Sequence, residues 1–210
     1  MLTVPPPCQT NPPPKLALRR RLQQQRAALS PPEQTRLSAQ AVRHLKSQPA
    51  FRNAKHIALY LPVRGEADPR KLRSQALPHQ QFYLPVLSPF RDGRLWFVRW
   101  DANTRFRLNR FRIPEPYPDY RHSRPARWLD LVVTPLVAFD GHGTRMGMGG
   151  GFYDRTFAFK RTQRYQPRPC LCGFAYGFQN RDYLQRQHWD IPLDVATVDT
   201  GFFRFGTGIY

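Results

Sequence analysis

The sequence predicts a layered α/β/α domain with a mostly parallel central sheet, similar in arrangement to a Rossmann fold. Short apolar runs alternate with stretches of helical periodicity, a pattern typical of a parallel sheet covered by helices. Residues 131–133 are apolar on consecutive positions, as in a strand that is buried on both faces. A glycine-rich loop follows that strand, so the candidate functional region lies next to the predicted centre of the sheet.

Composition restricts the class of protein and its partners. The net charge of +19 and the pI of about 11.0 favour anionic partners such as nucleotides, polyanionic small molecules, nucleic acid or a membrane surface. No run reaches the ~20 apolar residues of a transmembrane helix, and the N-terminus lacks the apolar core of a signal peptide. The three cysteines, Cys8, Cys170 and Cys172, give neither a disulfide framework nor metal-site spacing, which favours a cytoplasmic protein.

The amino-terminal part predicts a tail followed by two helices. Residues 1–14 contain two runs of three prolines and are expected to form an extended, mobile tail ahead of a single domain at 15–210. Residues 15–29 carry leucines at helical spacing among basic residues. Ser30-Pro-Pro-Glu33 has the pattern of a capping box and predicts a second helix that ends before Pro49.

The rest of the chain predicts alternating strands and short helices. The segment at 106–120 is expected to be irregular, with a rigid bend at Ile113-Pro-Glu-Pro116, and 179–189 to be a loop or short helix. The strand at 82–84 is expected to end at Pro85. The predicted strands are 56–61, 82–84, 95–100, 131–133, 171–175 and 195–199, and the predicted helices are 69–77 and 152–161.

The loop after residues 131–133 predicts an anion-binding site. Six glycines within residues 141–151 exclude a regular helix or strand there, because each glycine loses much backbone entropy on ordering. Amides without neighbouring side chains can approach an anion, and a helix that begins near Gly151 adds its positive end. Arg145 is expected to clamp a phosphate. The alternative is a flexible surface loop, since G-x-x-x-x-G-K-[ST] and G-x-G-x-x-G are both absent.

The order of residues in this loop resembles a known family. Arg145-Met-Gly-Met-Gly-Gly-Gly-Phe-Tyr-Asp154, preceded by Thr134-Pro-Leu-Val-Ala-Phe-Asp140, is similar to the signature of the 5-formyltetrahydrofolate cyclo-ligase (5,10-methenyltetrahydrofolate synthetase) family. The resemblance continues at Tyr60-Leu-Pro-Val-Arg-Gly-Glu66, at Pro114-Glu-Pro116 and around residues 174–199, and it covers roughly residues 15–199.

The resemblance implies an ATP-dependent ligase in a single catalytic domain. Its reaction would convert 5-formyltetrahydrofolate and ATP to 5,10-methenyltetrahydrofolate, ADP and phosphate, with Mg²⁺. Phosphorylation of the formyl oxygen turns a poor leaving group into phosphate, which the tethered N10 of the same substrate expels. We expect a monomer, and the surplus arginine could also attract the tail of a polyglutamylated substrate.

The same resemblance assigns roles to individual residues. Arg145 and Tyr153 are implied to be catalytic, and Asp154 and Asp190 to lie near Mg²⁺. Gly150 stands where some family members carry Lys, so the backbone and Arg145 must supply the positive potential. The residues implied to contact ATP are Lys15, Arg19, Arg145, Met146, Gly147, Met148, Gly149, Gly150, Gly151, Phe152 and Tyr153. The residues implied to contact folate are Leu61, Glu66, Met148, Gly149, Gly150, Gly151 and Phe152.

Each assignment has a purely structural alternative. Lys15 and Arg19 share one helix face because they are four residues apart, and basic residues on such a face are commonly solvated. Glu66 would then be an exposed loop residue or a helix cap, Leu61 a core residue and Tyr153 a core aromatic. An acidic residue at position 154 would stabilise a helix N-terminus whether or not it binds a metal.

Two other functions fit parts of the sequence. A nucleic-acid-binding protein is indicated by the net charge and by arginines interleaved with aromatics in Arg94-Leu-Trp-Phe-Val-Arg-Trp100 and in residues 106–112. That hypothesis has no named motif and leaves the glycine loop unexplained. A sugar-phosphate or CoA enzyme of layered architecture would share the phosphate loop but would not hydrolyse ATP.

Overall fold

The computed structural model describes residues 15–118, 120–162 and 168–206, so the predicted tail at 1–14 lies outside the described residues. None of the helices in these residues is both long and apolar enough to cross a membrane. The helices are α1 (Lys15–Ala27), α2 (Pro31–Lys46), α3 (Pro49–Arg52), α4 (Lys71–Ser74) and α5 (Phe152–Thr156). The strands are β1 (His56–Ala58), β2 (Gln81–Leu87), β3 (Leu95–Arg99), β4 (Phe106–Leu108), β5 (Pro114–Pro116), β6 (Ser123–Arg124), β7 (Leu131–Pro135), β8 (Ala138–Asp140), β9 (Arg145–Met146), β10 (Cys170–Phe174), β11 (Asn180–Arg181), β12 (Val195–Val198) and β13 (Gly201–Arg204).

Eight of the strands form one central sheet in the order β13-β12-β10-β7-β1-β2-β3-β6. The five strands from β12 to β2 pair in parallel, whereas β13, β3 and β6 add antiparallel edges. Numbered along the chain, the parallel strands have the order 2-1-3-4-5, which is one of the common doubly wound arrangements. The predicted α/β class with a mostly parallel sheet is confirmed.

Helices cover both faces of the sheet. On one face, Ala41 and Leu45 of α2, Phe51 of α3 and Leu72 of α4 pack into one apolar cluster. On the other face, Phe157 at the end of α5 packs into a second cluster. Burial of a large apolar side chain contributes about 1.5–3 kcal/mol, so both layers hold the sheet firmly. The connection from β1 to β2 passes over the first face through α4, whereas the connection from β7 to β10 passes over the second face through α5. The direction of crossover therefore reverses between the adjacent strands β1 and β7.

Local sequence signals account for several elements. The capping box that begins α2 is present, since the Glu33 N–H donates to Ser30 Oγ at 3.4 Å and the Ser30 N–H donates to Glu33 Oε2 at 2.9 Å. The strand predicted to end at Pro85 continues to Leu87, which corrects that expectation. Its neighbour β1 ends opposite Tyr83, so Pro85 lies beyond the part of β2 that bonds to β1.

Two further predictions about elements were wrong. The segment expected to be irregular at 106–120 contains the β4–β5 hairpin, which is closed by Asn109 Oδ1 accepting the N–H groups of Phe111 and Ile113. The helix predicted over 152–161 is only the short α5, followed by a 3₁₀ turn at Ala158–Arg161. The Thr156 side chain donates to the Phe152 carbonyl within α5 and accepts the Leu95 N–H of β3, which fixes the helix end against the sheet.

Candidate active site

The candidate site is the region at the carboxyl ends of β1 and β7 where the direction of crossover reverses, which is the position of the ligand crevice in open doubly wound sheets. The turn that carries Glu66 follows β1, and the glycine loop follows β7 through the short β8–β9 pair. Helix α1 lies against this loop, because Leu22 packs with Ala138 and Met146. Ligands bind at this position in open doubly wound sheets, so the Glu66 turn and the glycine loop lie where the fold favours a site.

The α1 contacts bring the predicted phosphate residues together. Arg19 Nε donates to the carbonyl oxygen of Gly147 at 3.1 Å, and Gln23 Nε2 approaches Met148 Sδ at 3.0 Å. Arg19 is half-buried, whereas Lys15 is exposed one helical turn before it. The Arg19 guanidinium is therefore anchored beside the glycine loop, which differs from the purely solvated face expected under the structural alternative.

Glu66 is buried, with a side chain that is 6% exposed, and does not lie on an exposed loop. Its Oε2 accepts the Val63 N–H at 3.1 Å, and its Oε1 lies 3.8 Å from Nη1 of Arg26, which is 2% exposed. Burial raises the pKa of Glu66, while the Val63 N–H, Arg26 and Arg64 oppose that rise. The site therefore holds a desolvated carboxylate beside one buried cation.

A strained turn presents Glu66. Arg64 and Gly65 both have left-handed backbone angles, with φ of 50° and 74°. Arg26 Nε donates to the Arg64 carbonyl at 3.1 Å, and a Cβ at Gly65 would lie only 3.2 Å from the Arg26 carbonyl oxygen. The close approach of α1 thus requires glycine at position 65. Arg26 both holds this turn through the Arg64 carbonyl and faces the Glu66 carboxylate.

Arg145 is buried and bound within the protein. Its Nη2 donates to Asp154 Oδ1 at 2.7 Å and its Nη1 to the Ile191 carbonyl at 3.0 Å, while the Ile191 N–H donates to the same Asp154 oxygen at 3.1 Å. Burial lowers the pKa of Arg145, and Asp154, Tyr153 and Asp190 oppose this. The expected phosphate clamp stays a prediction, and a phosphate would have to compete with these two bonds.

Tyr153 lies between the two charged parts of the site. Its ring stacks on Phe157 with centroids 6.2 Å apart, and the Arg145 guanidinium carbon lies 5.8 Å from the Tyr153 ring centre. Burial raises the pKa of Tyr153, Glu66 raises it further and Arg145 opposes the rise. The Tyr153 hydroxyl therefore remains protonated at neutral pH and can donate a hydrogen bond.

The glycine loop presents an open backbone surface. Gly149 has φ of 101°, and a Cβ there would meet no atom within 4 Å. A Cβ at Gly150 would lie 2.8 Å from the Phe152 ring, so a side chain at that position would require Phe152 to move. Arg155 Nη2 donates to the Gly150 carbonyl, which places a cation at the loop that the sequence did not assign. The open backbone leaves room for an anion to approach the amides of the loop.

The predicted metal residues lie around Arg145. Asp154 Oδ1 already accepts two hydrogen bonds, and Asp190 Oδ2 accepts the Gln187 N–H at 2.8 Å. Within residues 15–118, 120–162 and 168–206, no group of three or more His, Cys, Asp or Glu side chains could hold a metal. Mg²⁺ uses one or two carboxylates together with phosphate oxygens and waters, so the two aspartates fit such a donor set.

The comparison with known proteins decides the family. The model of the 5-formyltetrahydrofolate cyclo-ligase family matches residues 12–199. The chain belongs to this family. Cyclo-ligases from Escherichia coli K12 and Haemophilus influenzae are 39% and 38% identical to it; the matches cover 82% and 80% of this chain and 93% and 88% of those enzymes.

Solved structures of relatives share the fold. A 5,10-methenyltetrahydrofolate synthetase from Aquifex aeolicus superimposes with a TM-score of 0.76 and 31% identity, over 93% of this chain and 95% of that one. The synthetase from Mycoplasma pneumoniae gives a TM-score of 0.64 and 26% identity, over 88% and 98%. The shared fold thus extends over most of this chain.

Pro114-Glu-Pro116, one of the segments that resemble the family, has a structural role. Glu115, within Pro114-Glu-Pro116, is buried and accepts the Leu87 N–H at 3.1 Å and Arg107 Nη2 at 3.0 Å. These bonds tie the β4–β5 hairpin to the carboxyl end of β2, beside the crevice. The sequence indicated only a rigid bend there.

Proposed function

We propose that this cyclo-ligase family member converts 5-formyltetrahydrofolate to 5,10-methenyltetrahydrofolate at the expense of ATP. The observation that carries the proposal is that the turn with the buried carboxylate Glu66 and the open glycine loop follow two adjacent parallel strands, β1 and β7, where doubly wound sheets bind ligands. A carboxylate can accept paired N–H groups of a reduced pterin, and open backbone amides can bind a polyphosphate. Family membership supports the pairing of these two ligands.

We assign the phosphate side of the crevice to the glycine loop and α1. The amides of residues 147–151 would bind the triphosphate, and Arg19 stands next to them through its bond to Gly147. Lys15, which is exposed one helical turn before Arg19, would add a second cation for the triphosphate. Phosphoryl transfer depends chiefly on positioning and on stabilisation of negative charge, which backbone amides and arginines supply.

We assign the opposite side to the folate ring. The Glu66 carboxylate would accept two N–H groups of the pterin, and its burial makes these hydrogen bonds strong. Leu61 and Phe152 would supply apolar lining, and the Tyr153 hydroxyl would donate to the substrate or to the developing phosphate. N10 is held near the activated formyl carbon by the substrate itself, so no separate nucleophile from the protein is required.

Magnesium would be held by Asp154 and Asp190 together with phosphate oxygens. When bound, Mg²⁺ neutralises negative charge on the transferred phosphoryl group. The engagement of Asp154 with Arg145 means that the carboxylate is already oriented before a metal arrives. The cytoplasmic location predicted from the cysteines is part of the proposal, and both described cysteines, Cys170 and Cys172, are free.

An arginine-rich cavity next to the loop could attract the tail of a polyglutamylated substrate. The cavity, of about 320 Å³, lies between the β2–β3 turn, the β4–β5 hairpin and Phe152. Arg91, Arg94, Arg107 and Arg110 line it, while Glu115 is already paired with Arg107. A carboxylate tail extending from the folate would meet surplus positive charge here.

The test is turnover by the purified full-length chain. The ring-closed product absorbs in the near ultraviolet, so its formation from 5-formyltetrahydrofolate can be followed directly. The proposal expects product only when ATP and Mg²⁺ are both present, with equimolar release of phosphate. Absence of the product under these conditions, or its formation without ATP, would overturn the proposal.

A further inference from the structure

A second basic cavity lies at the amino-terminal ends of the parallel strands, opposite the candidate active site. It is formed where β1, β7 and β10 begin, and its volume is about 430 Å³, within the usual range for a small-ligand pocket. The strand β7 is five residues long, so about 17 Å of strand separates this cavity from the glycine loop. The proposed cyclisation reaction makes no use of the residues at these amino-terminal strand ends.

The cavity has a large excess of positive charge. Its walls include Lys55 before β1, Arg124 in β6, Arg127 in the following turn and Arg168 before β10. Asp130 is the one carboxylate among the lining residues. Four cations converging from separate segments create a strongly positive potential in a concave site.

The single carboxylate is already engaged. Asp130 Oδ1 pairs with Arg168 at 2.9 Å, and its Oδ2 accepts the N–H groups of Lys55 and His56 at 2.9 Å and 2.8 Å. Asp130 therefore fixes the start of β1, and Arg168 compensates the negative charge of the Asp130 carboxylate. Arg124 donates through Nε to the Trp128 carbonyl at 2.8 Å, so this bond orients the guanidinium without using its two terminal nitrogens.

An aromatic side chain stands among these cations. Trp128 lines the cavity and is 62% exposed. The neighbouring Arg127 lies over the Phe159 ring, with its guanidinium carbon 5.8 Å from the ring centre, and this contact limits its movement. Large exposed aromatics beside arginines form stacking platforms for nucleobases, while the cations neutralise the adjoining phosphates.

We propose that this cavity, lined by Lys55, Arg124, Arg127, Arg168 and Trp128, binds a nucleoside phosphate, with the base on Trp128 and the phosphate among the four cations. The shared chemistry is a phosphate ester joined to an aromatic base. It can come from a free nucleotide or from a nucleotide within a single strand. The inference does not depend on the proposed function, because this cavity lies at the amino-terminal ends of the strands and the candidate active site lies at their carboxyl ends.

The experiment is a calorimetric titration of the full-length protein at roughly 50 mM salt. The probes are thymidine monophosphate, an oligothymidylate of about ten nucleotides and inorganic phosphate. The variants are Lys55→Gln with Arg127→Gln, and Trp128→Leu, all at exposed side chains. The control is Arg36→Gln with Lys71→Gln, which removes the same charge from exposed positions outside the cavity.

The proposal expects the double variant in the cavity to bind all three probes roughly tenfold more weakly, because two phosphate contacts are lost. Trp128→Leu should weaken the two thymidine probes roughly tenfold and leave inorganic phosphate unchanged. Much tighter binding of the oligothymidylate than of the monophosphate identifies a strand as the source, and equal binding identifies a free nucleotide. ATP-dependent turnover should be unchanged in these variants.

Three results would overturn the proposal. The first is a loss of affinity in the control pair as large as that in the cavity pair. The second is unchanged binding of thymidine monophosphate by Trp128→Leu. The third is the absence of binding of either thymidine probe to the wild-type protein.

Discussion

Replacement of Arg26 by methionine should destabilise the protein and make that loss depend on the ionisation of Glu66. Arg26 is 2% exposed, and its Nη1 lies 3.8 Å from Glu66 Oε1. At an effective dielectric constant of about 20, two charges at this separation attract each other by roughly 4 kcal/mol. Methionine keeps most of the buried volume, so the change removes chiefly the charge and the bond to the Arg64 carbonyl.

The expected cost is about 3–5 kcal/mol, because one charge of a buried pair is left without its partner. A loss of about 1 kcal/mol shifts the Tm of a domain of this size by roughly 2–4 °C, so the Tm should fall by at least about 6 °C. Burial already raises the pKa of Glu66 and Arg26 opposes that rise, so the variant should raise it further. A carboxyl with a raised folded pKa contributes stability at low pH that is lost as the pH rises through that pKa.

The assay is thermal unfolding of the wild type and variant at about pH 5 and about pH 8. The difference in Tm should be small at the lower pH, where the variant can bury a protonated Glu66, and large at the higher pH. The matched control is Arg21→Met, an exposed arginine on the same helix, which should change stability by less than about 0.5 kcal/mol. A Tm deficit that is equal in the two variants, or independent of pH, would mean that Arg26 does not stabilise an ionised Glu66.

Three other predictions follow from named groups. Glu66→Gln should raise the KM for 5-formyltetrahydrofolate roughly tenfold with a smaller change in kcat, since a charged hydrogen-bond acceptor is worth about 1.5–3 kcal/mol; an unchanged KM in steady-state assays would exclude Glu66 from folate binding. Ser30→Ala should reduce the free energy of unfolding by about 1 kcal/mol in urea denaturation through loss of the α2 cap, and no change would mean that the cap is replaced by water. Burial raises the pKa of Cys170 to about 12, so iodoacetamide should alkylate it far more slowly than free cysteine at neutral pH; equal rates by mass spectrometry would contradict this burial.

Much of the fold follows from local patterns in the sequence. The consecutive apolar residues of β7 predict a strand that is buried on both faces, and Ser30-Pro-Pro-Glu33 predicts the start of α2 because both partners of the cap lie within one turn. The glycine loop is equally readable, since φ of 101° at Gly149 is a conformation that other residues rarely adopt. These signals are local, and their physical causes act within a few residues.

The features that the sequence did not predict depend on contacts between distant segments. Arg26 has the same four-residue spacing as Leu18 and Leu22, so its position on the buried face of α1 was visible, but its partner Glu66 lies forty residues away. The engagement of Arg145 by Ile191 similarly requires the chain to return from β10. Periodicity identifies which face of an element is buried, and it does not identify which charge will meet it there.

The proposed function depends most on the amides of residues 147–151, which would hold a triphosphate beside the buried Glu66. The most direct measurement is a crystal structure of the protein with Mg²⁺ and a non-hydrolysable ATP analogue. We predict phosphate oxygens within hydrogen-bonding distance of those amides and of Arg19, with the Glu66 carboxylate facing the adjoining space. A triphosphate bound elsewhere, for instance among Lys55, Arg124 and Arg168 alone, would contradict it.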